Sequence, residues 1–380
     1  MSETVVPRSF SEAAAALAGA AAQERPVRVV GGGTKLGWGG ATPPRALRLV
    51  TTHLDRVVVH DDGVIATLNA GTPLVRAQAI LGRSELMFAV DPQLGLGQRP
   101  AATVGGVVAT GDSGPLSHRF GTVTDQMIGI TAALSDGTVV RTGPRSGQEQ
   151  DGYDLAKLLT GSFGTLGVIL AVDVHVRLLA GETATALGTS DDPGLLRDAV
   201  KVVTARHGDL EAFDVAWIGG RGGLLAQLGG DESNARAAAV ADTMRACGLD
   251  GTTVRVDDAG LWARQRAGQR SAVRAVLRVH TRRRELDVVL KLADEVGATL
   301  VGRAARGVAY LTLDVGRIGT VRAGLPAGSA AVALDLPAGA RGAVDPWNVG
   351  EGAELEMMRG LKAGFDPVGV CNPGVFVGGI

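Results

Sequence analysis

Residues 27–39, Val-Arg-Val-Val-Gly-Gly-Gly-Thr-Lys-Leu-Gly-Trp-Gly, carry the residue types best suited to holding an anion. A short β-branched run falls straight into three consecutive glycines. Without a Cβ, glycine tolerates positive φ, so successive N–H groups can turn into one concavity around a phosphate. Two common phosphate loops fail on spacing. A Walker loop ends in Gly-Lys-Ser/Thr, whereas Trp38 follows Gly37. The dinucleotide fingerprint needs Gly-x-Gly-x-x-Gly opening a helix. Gly31, Gly33 and Gly37 are spaced differently, and Trp38-Gly39-Gly40 followed by Pro43-Pro44 cannot start one. Taken alone, a glycine-rich connection after a strand is a turn as readily as a site.

Three further blocks accompany it. Residues 101–125 read Ala-Ala-Thr-Val-Gly-Gly-Val-Val-Ala-Thr-Gly-Asp-Ser-Gly-Pro-Leu-Ser-His-Arg-Phe-Gly-Thr-Val-Thr-Asp. Residues 152–170 contain Gly-Tyr-Asp-Leu and then Gly-Ser-Phe-Gly-Thr-Leu-Gly-Val-Ile-Leu, and the chain closes on Phe365-Asp366-Pro367-Val368-Gly369-Val370-Cys371-Asn372-Pro373-Gly374. In this order and spacing the four blocks resemble the vanillyl-alcohol-oxidase type of FAD-binding protein (PCMH-type). Within that group they look most like the FAD-binding E subunit of glycolate oxidase. The resemblance covers about the first 178 residues and the last 40.

The resemblance implies a non-covalent FAD, because residues 31–40 lack the histidine that carries the flavin in some relatives. It implies a cofactor site made of Gly31, Gly32, Gly33, Thr34, Lys35, Leu36 and Gly37 around the pyrophosphate, with Pro92 and Thr103-Val104-Gly105-Gly106 close to the dinucleotide. Ser113 and Gly114 would lie near the isoalloxazine, and Gly121 and Asp125 beside the cofactor. Gly164, Thr165, Gly167, Val168 and Ile169 would meet the adenosine half, and Asn372 the flavin ring. For several residues a plainer role stays open: Lys35 as a solvated lysine, Gly105-Gly106 as a strand-to-helix turn, Asp125 as a turn-stabilising residue. The chain departs from these relatives at Ser146-Gly147-Gln148-Glu149-Gln150-Asp151, where an Asn-containing basic segment is usual. It departs again at Val375, where Arg or Lys is usual, and at Asp112, where an apolar residue is common.

Composition narrows the function classes. Net charge is −1 and aromatics are 3%, which argues against a nucleic-acid surface. Cys247 and Cys371 are the only cysteines, too few for an iron–sulfur cluster or a disulfide framework. None of the six histidines falls into a His-x-x-His or His-Glu-x-x-His spacing, so no metal is expected. No apolar run approaches the ~20 residues that span a bilayer. The alanine-rich start reads as a helix capped at Ser9 or Ser11, not as a leader. The expected compartment is the cytoplasm, with peripheral membrane association only through a complex.

The elements that must hold these residues are α+β. Strands are expected at Val27–Val30, Ala46–Val50, Arg56–Val59 and Val64–Asn69, and a helix at Thr72–Leu81 with Pro73 in its first turn. A hairpin is expected around Ser135-Asp136-Gly137. A strand should follow at Val168–Leu179, with Val172, Val174 and Val176 on one face and Asp173, His175 and Arg177 on the other. Beyond Ala180-Gly181, helices at Gly194–Arg206, Glu232–Cys247 and Arg284–Val296 are separated by strands at Phe213–Ile218, Gly223–Leu228, Arg274–His280 and Tyr310–Leu313. That pattern predicts a cap with an antiparallel sheet. Residues 1–178 form the FAD-binding domain of this reading, 179–340 the cap, and 341–380 a return to the first domain. No internal repeat is visible.

If FAD carries the hard step, the protein needs a base and a clamp for a substrate carboxylate, which an arginine fork meets bidentately. Arg264, Arg266, Arg303 and Arg306 are the clamp candidates and Tyr310 or His280 the base candidates, none with a motif behind it. The function expected from the resemblance is oxidation of a small 2-hydroxy acid by hydride transfer to the flavin. A second flavoprotein and an iron–sulfur subunit would be its partners. The alternative is a non-catalytic FAD-binding or assembly subunit of a glycolate/lactate oxidase complex.

Overall fold

Three sheets organise the chain, which the computed structural model describes for residues 3–60, 63–97, 101–143 and 154–380. The amino-terminal helix runs Phe10–Ala22, and Ser9 caps it by accepting the Glu12 N–H at 3.1 Å. It packs on a small parallel sheet ordered Thr4–Val5, Leu47–Val50, Val27–Val30. Its buried Ala13 and Leu17 also meet Leu170 and Val168 of the next sheet.

That second sheet is antiparallel, ordered Val57–Val59, Ile65–Asn69, Val168–His175, Met127–Ala133, Val139–Thr142. The Ser135-Asp136-Gly137 hairpin forms as expected, with Gly137 at φ +87°. Val168–His175 departs from the expected alternation because it is the central strand, with both faces covered. Asp173 is therefore buried, where it accepts the Thr67 hydroxyl at 2.5 Å and pairs with Arg141 at 3.5 Å. Pro73 caps the helix Leu74–Gly82, consistent with a residue that has no N–H to lose.

The third sheet has eight antiparallel strands spanning Thr183–Ser190 to Ala330–Asp335. Here the sequence reading needs correcting. Residues 183–255 run strand, helix, strand, strand, helix, strand, and residues 275–335 repeat that order. The sheet order mirrors about the central pair, Ala212–Ile218 and Thr299–Arg303, so the cap is two βαββαβ units joined edge to edge. The repeat escapes the sequence because each unit keeps only its apolar spacing, not its residues. Strands Thr183–Ser190, Asp250–Arg255, Thr299–Arg303 and Ala330–Asp335 and the helices Ala259–Ala267 and Ile318–Gly324 escape with it. The long helices bury one face of the sheet in the largest core, with Leu196, Val240, Leu290 and Val321. The helix Ala259–Ala267 covers part of the opposite face, where Trp262 donates to the Thr185 hydroxyl at 2.8 Å. The rest of that face meets the first domain.

Residues 341–380 run back to the parallel sheet. The Val27 N–H donates to the Val370 carbonyl at 2.7 Å and the Asn372 N–H to the Val27 carbonyl at 2.9 Å. Among the described residues no helix is long and apolar enough to cross a membrane.

Candidate functional site

The strand Val27–Val30 ends at the glycine loop, which opens a cleft between the parallel sheet, the Thr103 turn and the Phe163-Gly164 turn. The N–H groups of Gly31, Gly32, Gly33 and Thr34 have no hydrogen-bond partner among the described residues. Gly33 sits at φ +74°. Consecutive unpartnered N–H groups around a left-handed residue make an anion-binding concavity. The tightness of Gly31 and Gly32 has another cause: a Cβ on Gly32 would lie 1.5 Å from the Ala101 carbonyl oxygen, and one on Gly31 would lie 2.2 Å from Thr103 Oγ1. Glycine is needed there for loop packing. At Gly106 an added Cβ would be 3.3 Å from Thr103 Oγ1 and would meet nothing nearer.

The cleft wall includes Gly31, Gly32, Gly33, Thr34, Lys35 and Leu36 from the first loop, and Thr103, Gly105 and Gly106 from the second. Gly164, Gly167, Ile169 and Asn372 complete it. The other expected site residues lie off this wall. Gly37 packs against Arg341, where an added Cβ would come within 2.6 Å of the guanidinium. Pro92 belongs to a separate cleft beside Asp91 and Arg266. Val104 is a core residue in the first turn of the helix Val104–Thr110, whose N-cap Thr103 accepts the Gly106 N–H at 3.3 Å. Thr165 is buried and spends its hydroxyl on the Ser162 carbonyl at 2.7 Å. Val168 is buried and paired with Ala133. Asp125 closes a capping box on Thr122, accepting its N–H at 2.7 Å and its hydroxyl at 2.9 Å. Gly121, at φ +79°, lies against that carboxylate. Asn372, at φ +40°, spans the two walls: its amide donates to the Phe163 carbonyl at 2.6 Å, and its Oδ1 accepts the Val29 N–H at 2.9 Å. The departures at 146–151, with Gly152 and Tyr153, lie outside the described residues.

Lys35 is neither solvated nor turned over the loop. It pairs with Asp112 at 3.1 Å, both side chains almost fully buried. The acid at position 112 thus has a partner in the glycine loop. Ser113 and Gly114 follow it; Ser113 Oγ is buried without a partner, and Gly114 is pressed against Asp91.

The cap reaches this wall through residues that carried no motif. Arg270 forks onto Asp335 at 2.7 and 3.0 Å and donates to the Thr34 carbonyl at 2.9 Å. Its guanidinium lies 4.8 Å from the Trp38 ring, whose indole N–H donates to Asp335 at 3.0 Å. Tyr310, Val276 and Leu334 of the cap sheet share one apolar cluster with Trp38, Phe163 and Val375. Val375 is therefore a core residue, with its carbonyl accepting the Trp347 indole N–H at 3.2 Å.

Of the clamp candidates, Arg264 and Arg306 are exposed, as is His280. Arg303 is buried and donates to Asp214, and its guanidinium lies 5.8 Å from the Tyr310 ring. Arg266 faces Asp91 at 3.5 Å. Burial pushes the Asp91 carboxyl up to about 6, against the pull of Arg266 and Arg303. Burial likewise lifts Asp214 to about 7, with Asp91 adding to it and Arg303 opposing. Burial and then Asp112 raise the Tyr310 hydroxyl. His118, edge-on to Phe213 at 5.9 Å, is lowered to about 4 by burial and Arg306. Among the described residues, no three His, Cys, Asp or Glu side chains gather where they could hold a metal. Cys371 is fully buried, its thiol pushed up to about 12, and Cys247 is half-buried.

Comparison with known proteins adds to this geometry. Residues 2–143 match the sequence model of a family described as FAD binding domain. A D-lactate dehydrogenase of Archaeoglobus fulgidus is 31% identical over 172 residues, 45% of this chain and 38% of that one. The glycolate oxidase subunit GlcD of Bacillus subtilis is 26% identical over 166 residues, 43% and 34% of the two chains. The match thus spans about a third of these relatives' length. Among solved structures, an alkyldihydroxyacetonephosphate synthase superposes with a TM-score of 0.72 at 14% identity, over 97% of this chain and 76% of its own. The glucooligosaccharide oxidase of Acremonium strictum does so with 0.69 at 16% identity, over 99% and 91%. At such identities the likeness is one of fold.

Proposed function

We propose, for a chain whose residues 2–143 are a FAD binding domain of the vanillyl-alcohol-oxidase type, that it oxidises the CH–OH carbon of a small 2-hydroxy acid with non-covalently bound FAD. One observation carries the reading. A glycine loop with four N–H groups unpartnered among the described residues opens toward an interdomain face where Tyr310 meets Trp38, Phe163 and Val375, with the Arg303 guanidinium 5.8 Å from the Tyr310 ring. The N–H groups of Gly31–Thr34 would bind the pyrophosphate, and Gly105 and Gly106 would let it approach the backbone. The bound flavin would supply a two-electron acceptor. Arg270, by holding Thr34 and stacking on Trp38, keeps the loop and the cap in register. Among the described residues no histidine or cysteine lines the cleft. The donors available to a substrate carboxylate are Arg303 and Arg278, on one face of the cap sheet with Tyr310.

A second reading is a non-catalytic FAD-binding or assembly subunit of a glycolate/lactate oxidase complex. It is favoured by the state of the clamp: both arginines among the four candidates that face the interface already pair with acids, Arg303 with Asp214 and Arg266 with Asp91. In the first reading electrons would leave to a second flavoprotein and an iron–sulfur subunit, since two cysteines cannot build a cluster; in the second the same two subunits would be its partners in the complex. The proposed compartment is the cytoplasm. Anaerobic mixing with a panel of 2-hydroxy acids, followed at the flavin bands, tests the pair. Bleaching supports the oxidoreductase, and a yellow protein that no 2-hydroxy acid bleaches supports the second reading. A colourless protein that takes up no added FAD would defeat the oxidoreductase and leave only the assembly form of the second reading. Acid precipitation should leave the flavin in the supernatant as FAD.

A further inference from the structure

Across the two βαββαβ units, the cap sheet presents a polar row to the first domain. Asp214 stands directly opposite Arg303 on the two central strands, and Tyr310 directly opposite Arg278 on the next pair. Arg303 Nη1 donates to Asp214 Oδ2, and the two side chains are 2% and 0% exposed. Among the described residues two atoms of this pair have no partner: Asp214 Oδ1 and Arg303 Nη2. A buried carboxylate oxygen and a buried guanidinium N–H both left unsatisfied are costly, so each such group needs an explanation. The neighbouring Arg278 Nε is unsatisfied as well.

What completes this arrangement must both give and take a hydrogen bond. A carboxylate can only accept and an ammonium can only donate, whereas a hydroxyl does both. Resting on the 2-hydroxy-acid reading above, we propose that Asp214 receives the substrate hydroxyl, with Arg303 Nη2 donating to the same oxygen, and takes its proton during oxidation. The O–H bond breaks and its proton goes to Asp214 Oδ1. The C–H hydrogen leaves with its electron pair to the two-electron acceptor, the flavin, and a 2-oxo acid remains. Arg278 stands across Tyr310 for the carboxylate.

The surroundings suit a base. The groups facing Asp214 are Arg303 on the next strand, Arg266 on the helix Ala259–Ala267, and Asp91 on the first domain, with His118 stacked edge-on to the adjacent Phe213. The carboxylate is held near neutrality by burial, where a general base is most effective. A cleft of about 560 Å³ is lined by Val90, Gln93 and Ala263 together with Asp91 and Arg266, two of the groups whose charges act on Asp214.

The test compares lactate with propionate, which lacks only the hydroxyl, by calorimetry on the FAD-loaded protein. A hydrogen bond to a charged group predicts that lactate binds roughly 10- to 150-fold more tightly. In Asp214→Asn that preference should fall toward one. Its rate of flavin bleaching should drop about 10²- to 10⁴-fold and lose its rise with pH near neutrality. Should the amide disturb folding, Asp214→Leu with Arg303→Met removes the pair without stranding a charge and should bind FAD without telling the two acids apart. Equal binding of lactate and propionate by the parent would overturn the hydroxyl site alone. Binding of neither would overturn the substrate reading with it. An Asp214→Asn variant that keeps both preference and rate would mean that the pair merely holds a water.

Discussion

The cleft wall and the cap face opposite it are built in contrasting ways. On the wall the binding groups are backbone: unpartnered N–H groups at Gly31–Thr34, held by glycines that allow loops to touch. On the cap face they are side chains, Asp214, Arg303, Tyr310 and Arg278, aligned by the pairing of four strands far apart in sequence. Backbone recognition forces a residue type at each position and so leaves a motif. Side-chain recognition on a sheet needs only one residue per strand at the right register. Substitutions on the two sides should therefore fail differently.

The largest effect is expected on the cap side. Asp214→Ala leaves Arg303 as an uncompensated buried charge, which costs about 3–5 kcal/mol, whereas replacing both partners by apolar residues is often close to neutral. Denaturant midpoints should thus show Asp214→Ala strongly destabilised and the Asp214→Leu/Arg303→Met double variant close to the parent. A single variant within about 1 kcal/mol of the parent would mean that solvent reaches the pair.

The same carboxylates set a pH dependence of defined sign. Asp91 and Asp214 titrate above the ordinary 3.8 in the folded chain, so the folded state holds protons that the unfolded chain has already shed. Their contribution is fully present below about pH 4 and is lost as pH rises through 6 to 7. The loss is several kcal/mol in all, one pKa unit being about 1.4 kcal/mol. Melting temperatures from pH 4 to 8 should fall less steeply in Asp91→Asn and Asp214→Asn than in the parent; parallel curves would contradict the burial of these acids.

On the backbone side, the informative position is Gly106. Its Cβ would enter the cleft with no backbone in its way, while one on Gly32 would strike the Ala101 carbonyl and one on Gly105 would lie 2.6 Å from the Ala70 methyl. Gly106→Val should weaken FAD binding by about 10- to 100-fold, or roughly 1.4–2.8 kcal/mol, with an unchanged apoprotein melting temperature. Gly32→Val should lose fold and flavin together. Full flavin occupancy in Gly106→Val would remove that face of the cleft from the cofactor site.

This contrast also explains what the sequence disclosed. Gly31–Gly33 and Gly164 were legible because loop closure and positive φ exclude other residues. Asp214 was not, since an acid in the run Ala212–Ile218 reads as a solvent-facing strand residue until Arg303 is seen beside it. Arg270, just beyond the helix Ala259–Ala267, hid among neighbouring arginines for the same reason. Lys35 was misjudged because its partner, Asp112, lies 77 residues on and looked like a departure from pattern. The mirrored cap units were invisible because their likeness lies in the order of elements.

Asp125 tests the boundary between the two modes, being an acid inside a motif block. Its carboxylate accepts the Thr122 N–H and hydroxyl and closes the short helix Val123–Gln126. Both local interactions fall on Oδ2, and Asp125 lies off the cleft wall, which argues for a structural role. Loss of a capping interaction costs about 1 kcal/mol, so Asp125→Ala should lower stability by that amount, partly rescued by Asp125→Asn. The flavin content and visible spectrum of both variants should match the parent, because Gly121 can hold its φ of +79° without the carboxylate. A loss of FAD from Asp125→Ala larger than its loss of stability would show that this motif acid serves the cofactor directly.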